Sequence, residues 1–413
     1  MMTLVNIHKT YKDKILNFLI LFSCFSIAMP TAWLSISTSL LFITWIFSGH
    51  LRDLDRFKDN PAVIVTLLFL LLYLVSTFYA STSWEESFHY LLKYAKLLLI
   101  PIIVTGVNSK KIRTYAIYAF LSSIFLTLII SYFNWLHLIP ANLNLFTIDS
   151  PTQGFIVYKN RITQSILLAF AMYMMLCKAF DSKNYKRWIW SFLAFLCFFN
   201  IFHLINGRSG QLIALCLIVF FMINKFGKDF LKYSFLIFIV CFAFKSQIIP
   251  YAPERLVSIY TEIQEHSSGS NLTSSGIRME MYKNTLALIQ RSPLMGYGVG
   301  SLRVEYSSLV KSEDTLLRDV TNPHNQYLLV LFETGMIGGA LFLLMLYYFW
   351  QSANNVKDSN ESLLGDYMQG LILTFALGCF LNSLLMDAGE GRFFCLMAGL
   401  FLSAYSSKKL RRK

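Results

Sequence analysis

Runs of about 20 apolar residues recur along nearly the whole chain, PAVIVTLLFLLLYLVSTFYA at 61–80 among them, and about 20 is what one helix needs to cross a bilayer. Hydrocarbon offers no partner for a peptide group, so each run must satisfy its own backbone as a helix. With 55% hydrophobic and 14% charged residues and 37 Phe in 413 positions, the chain lies far from a soluble domain. It reads as an all-α integral membrane protein with about twelve transmembrane helices. They fall near 15–31, 32–49, 61–80, 90–107, 114–135, 162–180, 188–205, 210–224, 233–250, 324–350, 366–386 and 393–406, the first two joined at Pro30.

The formal charge of +13 sits in short clusters between spans rather than in a basic stripe interleaved with aromatics, so nucleic acid is not an expected partner. All seven cysteines lie in apolar runs without CxxC spacing, which predicts neither disulfides nor a zinc site. Lys9, Lys12 and Lys14 precede an apolar run without a small-residue cleavage site, so that run is expected to stay as the first helix. Arg52/Arg56/Lys58, Lys110/Lys111/Arg113, Lys183/Lys186/Arg187, Lys225/Lys228/Lys232 and the tail KKLRRK fall on one side if the spans alternate. Positive residues stay inside, so both termini are expected in the cytoplasm. On the opposite face lie 81–92, 136–160, the NGRSGQ turn, 251–323 and DAGEGR at 387–392.

Three parts of one membrane domain follow: spans over 1–250, a long external segment over 251–323, and spans over 324–413. The external segment, between the ninth and tenth spans, is expected to form short helices at 254–266 and 275–290 and a further piece between 301 and 318. RSPLMGYGVGS demands turns at Pro293, Gly296, Gly298 and Gly300. It ends in TNPHNQYLLVLFETGMIGG, residues 321–339, where Pro323 fits the start of a helix and Asn322 its cap.

Four residues on that face have the chemistry to act on a phosphorylated substrate. Arg208, between Gly207 and Ser209 at a span's outer end, can fork two donors onto phosphate oxygens, with the glycines exposing backbone N–H groups; it can equally snorkel to headgroups. Arg278 falls in a predicted first helical turn, where the helix dipole disfavours a cation, so either a bound anion or an ion pair with Glu280 or Glu262 must compensate. Arg161, at the outer start of the sixth span, is a third candidate or an anchor. His324 offers a neutral imidazole able to take a proton near pH 7, or simply anchors its helix at the interface. Asp387 and Arg392 read as a pair with each other. With no acidic DxD cluster in the external loops, no metal is expected, and the arginines would balance leaving-group charge. A GxSxG elbow, a P-loop and a Rossmann pattern are all missing.

RSG in a short outer turn, SGIRMEMY, SPLMGYGVGS and NPHNQYLLVLFETGMIGG, in this order and topology, resemble the O-antigen ligase and polymerase superfamily of the Gram-negative inner membrane. The resemblance covers mainly residues 155–350. It implies a multi-pass inner-membrane enzyme with a long periplasmic segment and a periplasmic active site, needing no cofactor. Its expected reaction is inverting, metal-independent transfer of O-antigen polysaccharide from undecaprenyl diphosphate to a sugar hydroxyl of the lipid A core. By resemblance Arg208 and Arg278 hold the diphosphate and His324 activates the acceptor hydroxyl. An O-antigen polymerase of the same superfamily is the alternative, and a polyprenyl-linked glycan flippase a second; candidates gathered at one face disfavour the flippase.

The one-sided basic clusters predict that a reporter active only in the periplasm works when fused after residue 270 and stays silent after residue 356. The opposite pattern would invert the topology.

Overall fold

The computed structural model of the protein describes residues 2–49, 58, 60–139, 147–150, 154–230, 274–310, 318–358 and 361–410. The expected ninth span at 233–250 and the short helix at 254–266 lie outside the described residues. In chain order the helices are α1 (Met2–Ser26), α2 (Thr31–Ser48), α3 (Pro61–Ser76), α4 (Trp84–Tyr94), α5 (Leu99–Gly106) and α6 (Lys110–Trp135). A hairpin of β1 (Thr147–Ser150) and β2 (Gly154–Val157) precedes α7 (Arg161–Asp181), α8 (Tyr185–Phe199) and α9 (Arg208–Phe226). Then follow α10 (Ser274–Arg291), α11 (Leu302–Leu309), α12 (Gln326–Lys357), α13 (Ser362–Leu381) and α14 (Ala388–Leu410). Among the described residues 9 stretches are long and apolar enough to cross a membrane, α4 and α5 forming one of them. Helices α1 and α14, of 25 and 23 residues, also have spanning length. The chain is thus a multi-pass, essentially all-α membrane protein, and the hairpin within the expected 136–160 loop is its one departure among the described residues.

The two ends of the bundle differ in charge. At one end Arg113 pairs with Glu361 at 2.8 Å, and Asp366, 1% exposed, lies between Lys225 and Lys357. The other end is knit by polar contacts between loops far apart in sequence. Lys159 Nζ donates to Thr31 Oγ1 (3.2 Å), Lys96 Nζ to the Asp387 carbonyl (2.7 Å) and Ser131 Oγ to the Phe155 carbonyl (2.7 Å).

Helix α12 is broken at Gly335, whose φ of 64° and ψ of −162° are not helical. The two halves fold against each other. Tyr327 and Phe342 have ring centroids 5.4 Å apart, although fifteen residues of straight helix would rise about 22 Å. The Leu331 side chain reaches 2.7 Å from where a Cβ on Gly339 would stand, so Gly339 makes room for the fold-back. Residues 336–357 therefore form the span, at about 33 Å of helix, in place of the expected 324–350. The break leaves backbone groups without helical partners, and the 293–298 turn supplies them. Tyr297 N–H donates to the Phe332 carbonyl (2.9 Å), Gly298 N–H to the Glu333 carbonyl (2.9 Å) and Met336 N–H to the Pro293 carbonyl (2.8 Å). Glu333 accepts from the Gly300 N–H at 3.0 Å and the Tyr94 hydroxyl at 2.7 Å. Gly296, Gly298 and Gly300, read as turn positions, have φ of 68°, 83° and 80°.

A Cβ on Gly335 would collide with the Leu294 carbonyl, and its left-handed φ disfavours any side chain. Gly335→Ala is expected to destabilise the protein on the order of 1–3 kcal/mol from the backbone alone. A lower thermal unfolding midpoint in detergent checks this; an unchanged midpoint contradicts the break.

Candidate functional site

The site is assembled on the end where the loops are knit together. His324 does not open a helix, as Pro323 and Asn322 suggested: α12 begins at Gln326, capped by Asn325 Oδ1, which accepts from Tyr327 and Leu328 N–H at 3.0 and 3.1 Å. Asn322 instead accepts from the His324 N–H at 2.8 Å, while the Tyr282 hydroxyl donates to the His324 carbonyl at 3.2 Å. Both backbone groups of His324 are thus tied while it holds a left-handed φ of 53°, an uncommon conformation for a residue with a side chain, which costs energy and tends to mark functional positions.

The half-buried imidazole meets Asn382, its Nδ1 lying 3.0 Å from the amide Oδ1. Asn382 Nδ2 in turn donates to Asp387 Oδ2 at 2.9 Å. Burial pulls the His324 imidazole below its ordinary 6.5; the Asn382 contact opposes this and the positive charge of Arg278 reinforces it. Burial thus favours the neutral ring. Asp387 moves the other way, up to about 7, because it is buried and beside Glu390, against the pull of Lys96 and Lys93.

Arg278 belongs to α10, one turn before Tyr282, and its charge reaches His324. It sits past the first turn of a helix that begins at Ser274, where the dipole no longer weighs heavily. Of the two carboxylates offered as ion partners, Glu280 does not pair with Arg278 and accepts from Asn284 at 3.2 Å, and Glu262 lies outside the described residues. Among the described residues no carboxylate pairs with Arg278. Asp387 and Arg392 likewise do not pair: Arg392 Nη1 donates to the Ala388 carbonyl at 3.1 Å, and Asp387 takes Asn382.

Arg208 and Arg161 come together through their helices. Each is the first residue of its helix, α9 and α7, and both are exposed. A Cβ on Gly207 would stand 2.8 Å from the Arg161 carbonyl oxygen, and both Gly207 and Gly210 abut Ser165. Gly207 and Gly210 allow close packing of α7 on α9, as small residues commonly provide in membranes. Helix α7 is tied to α14, where Thr163 Oγ1 donates to Glu390 at 2.6 Å, and Asp387, near the start of that helix, is tied through Asn382 to His324. The structure therefore brings the helix starts of Arg161 and Arg208 together and sets the charge of Arg278 against His324. Arg113, Lys225 and Lys357 at the opposite end carry ion partners, as do Arg303 and Arg318 through Asp319, whereas Arg208 and Arg278 have none among the described residues.

Asn382 went unread in the sequence, because an asparagine 58 residues from the histidine it meets leaves no local trace. Its one signal is its place in the polar turn NSLLMDAGEGR at the outer end of a span.

Residues 192–343 match the family described as O-Antigen ligase. That stretch contains Arg208, Arg278 and His324; Arg161, Asn382 and Asp387 lie outside it. No match is found among curated proteins. Among solved structures, a chain described under "Structural coordination of polymerization and crosslinking by a peptidoglycan synthase complex" is similar over 86% of this chain and 99% of that chain, at 13% identity and a TM-score of 0.49.

Removing a positive neighbour favours the imidazolium, so Arg278→Gln is expected to raise the pKa of His324. The pH dependence of diethylpyrocarbonate modification, read as the difference from a His324→Gln background, measures it. No change would remove Arg278 from the surroundings of His324.

Proposed function

Because the chain belongs to the O-antigen ligase/polymerase superfamily and is a membrane glycosyltransferase of that type, we propose that it transfers O-antigen polysaccharide from undecaprenyl diphosphate to a sugar hydroxyl of the lipid A core. The reaction is inverting, needs neither metal nor nucleotide sugar, and takes place at the periplasmic face of the inner membrane, with 251–323 as the periplasmic segment. The observation that carries this reading is a half-buried His324, bonded to Asn382, near an arginine that has no ion partner among the described residues.

In this reading the acceptor hydroxyl oxygen attacks the anomeric carbon from the face opposite the diphosphate. The new C–O bond forms as the bond to the phosphate oxygen breaks, which inverts the centre. One base suffices and no carboxylate nucleophile is required. His324 takes the hydroxyl proton late in bond formation, because an imidazole is too weak a base to remove it beforehand. The bond-breaking electron pair leaves with the diphosphate, and Arg208 and Arg278 hold that charge with forked hydrogen bonds, Arg161 adding positive potential. The donor also assists the base. Its diphosphate, seated on Arg278, offsets the charge that disfavours the imidazolium and thereby makes His324 a better proton acceptor once the donor is bound.

The test is the lipopolysaccharide pattern of a deletion strain complemented with variants. Loss of a ligase leaves polymer on the carrier lipid, whereas loss of a polymerase leaves a single repeat on the core. His324→Gln is expected to keep donor binding yet lower transfer by roughly 10²- to 10⁴-fold, as removal of a general base does. Arg208→Lys and Arg278→Lys should impair it as well, since a point charge cannot reproduce the fork. Transfer near the wild-type rate by His324→Gln would demote His324 to a capping or positioning residue.

A further inference from the structure

The choice of which His324 nitrogen acts as base is made outside the histidine. A neutral imidazole carries one donor and one acceptor nitrogen, and the partner of one decides the role of the other. Here that partner is an amide with two unlike ends, and the amide is itself held. Asn382 closes α13, its N–H bonded to the Gly378 carbonyl at 2.8 Å, and it is 7% exposed. Its Nδ2 lies 2.9 Å from Asp387 Oδ2. In its ionised form the Asp387 carboxylate only accepts, so in that form the nitrogen end belongs on Asp387 and the oxygen end on His324. Oδ1 must then accept from Nδ1–H across the 3.0 Å contact. The two turns carrying these residues are also tied together, for the Leu385 N–H donates to Gln326 Oε1 at 2.9 Å.

We propose that Asn382 is the positioning residue for His324: oriented by Asp387, it holds the imidazole as the Nδ1–H tautomer and makes Nε2 the nitrogen that takes the acceptor proton. This rests on the reading of His324 as the base. A neutral amide is suited to the task because it sets the tautomer without placing a full negative charge on the ring. The charged groups nearby are Arg278, facing the imidazole, and Asp387 beyond the amide, itself faced by Glu390, Lys96 and Lys93.

The test uses the full-length chain in membranes, assayed for transfer at saturating donor. Asn382→Leu fills the same space without an acceptor. It is expected to lower kcat on the order of 10- to 10²-fold, the scale of a misplaced catalytic group, with the KM for donor unchanged. Asn382→Leu combined with His324→Gln should be no slower than His324→Gln alone, because a residue that acts only through His324 has nothing further to lose. Asp387→Asn frees the amide to turn over and should also slow transfer. The exchange Asn382→Asp with Asp387→Asn restores an acceptor on the ring and a donor behind it. It should be faster than either single exchange, with the acid limb of the pH profile moved to higher pH by the carboxylate now beside the imidazole. A double variant slower than His324→Gln, or an exchange no faster than its single variants, would overturn the proposal. Normal rates in Asn382→Leu beside an inactive His324→Gln would sink this inference and leave His324 as the base; an active His324→Gln would sink both.

Discussion

Three backbone hydrogen bonds at the break in α12 hold the molecule's two regions in register. In hydrocarbon an unpaired peptide group costs several kcal/mol, so irregular backbone survives at membrane depth only where protein satisfies it. The groups released around Gly335 find Pro293, Tyr297 and Gly298, which belong to the segment between spans. That segment is therefore part of the span's own structure, and the turn that completes the helix is fixed by it. Because α10 runs directly into this turn, Arg278 inherits a defined position. Because the first half of α12 is folded back onto the second, the chain enters the bundle at His324 rather than passing straight through. Glu333 belongs to the same junction: with its carboxylate 1% exposed and engaged by Tyr94 and Gly300, it holds the turn in place and is not open to substrate.

The charges follow the same division of labour. At one end of the bundle Arg113, Lys225 and Lys357 are paired with carboxylates, and such pairs offset the cost of bringing ions toward low dielectric. At the other end Asp319 takes Arg303 and Arg318, while the carboxylates nearer the candidate residues bond to neutral donors. Glu390 accepts from Thr163, Asp387 from Asn382 and Glu280 from Asn284, so Arg208 and Arg278 keep their donors for something else. An arginine without an anion is poised to gain from one, since charge-assisted forked bonds are the stronger kind. The strained φ of His324 fits this picture, being maintained by Asn322 and Tyr282 from either side.

Much of this was readable locally. Apolar run length specifies the membrane-crossing helices, because bilayer thickness acts on short windows. The glycines of SPLMGYGVGS announced their turns because positive φ is a property of single residues. The interruption of α12 was not readable: ETGMIGG continues an apolar pattern, and nothing in it says that a turn about forty residues earlier will take the freed peptide groups. Pairings failed for the same reason. Asp387 and Arg392 are neighbours of opposite sign, yet the first goes to Asn382 and the second to a helix carbonyl.

Hydropathy and spacing thus account for the class of protein and for most of its helices, which follow from interactions with solvent and lipid over a few turns of helix. Tertiary packing alone decided that α12 folds at Gly335, that Gly207 and Gly210 serve helix contact with Ser165, and that His324 meets Asn382 instead of open water. Those outcomes depend on which distant peptide groups, methyls and amides arrive at the same place, and the chain encodes that only through the packing of the whole bundle.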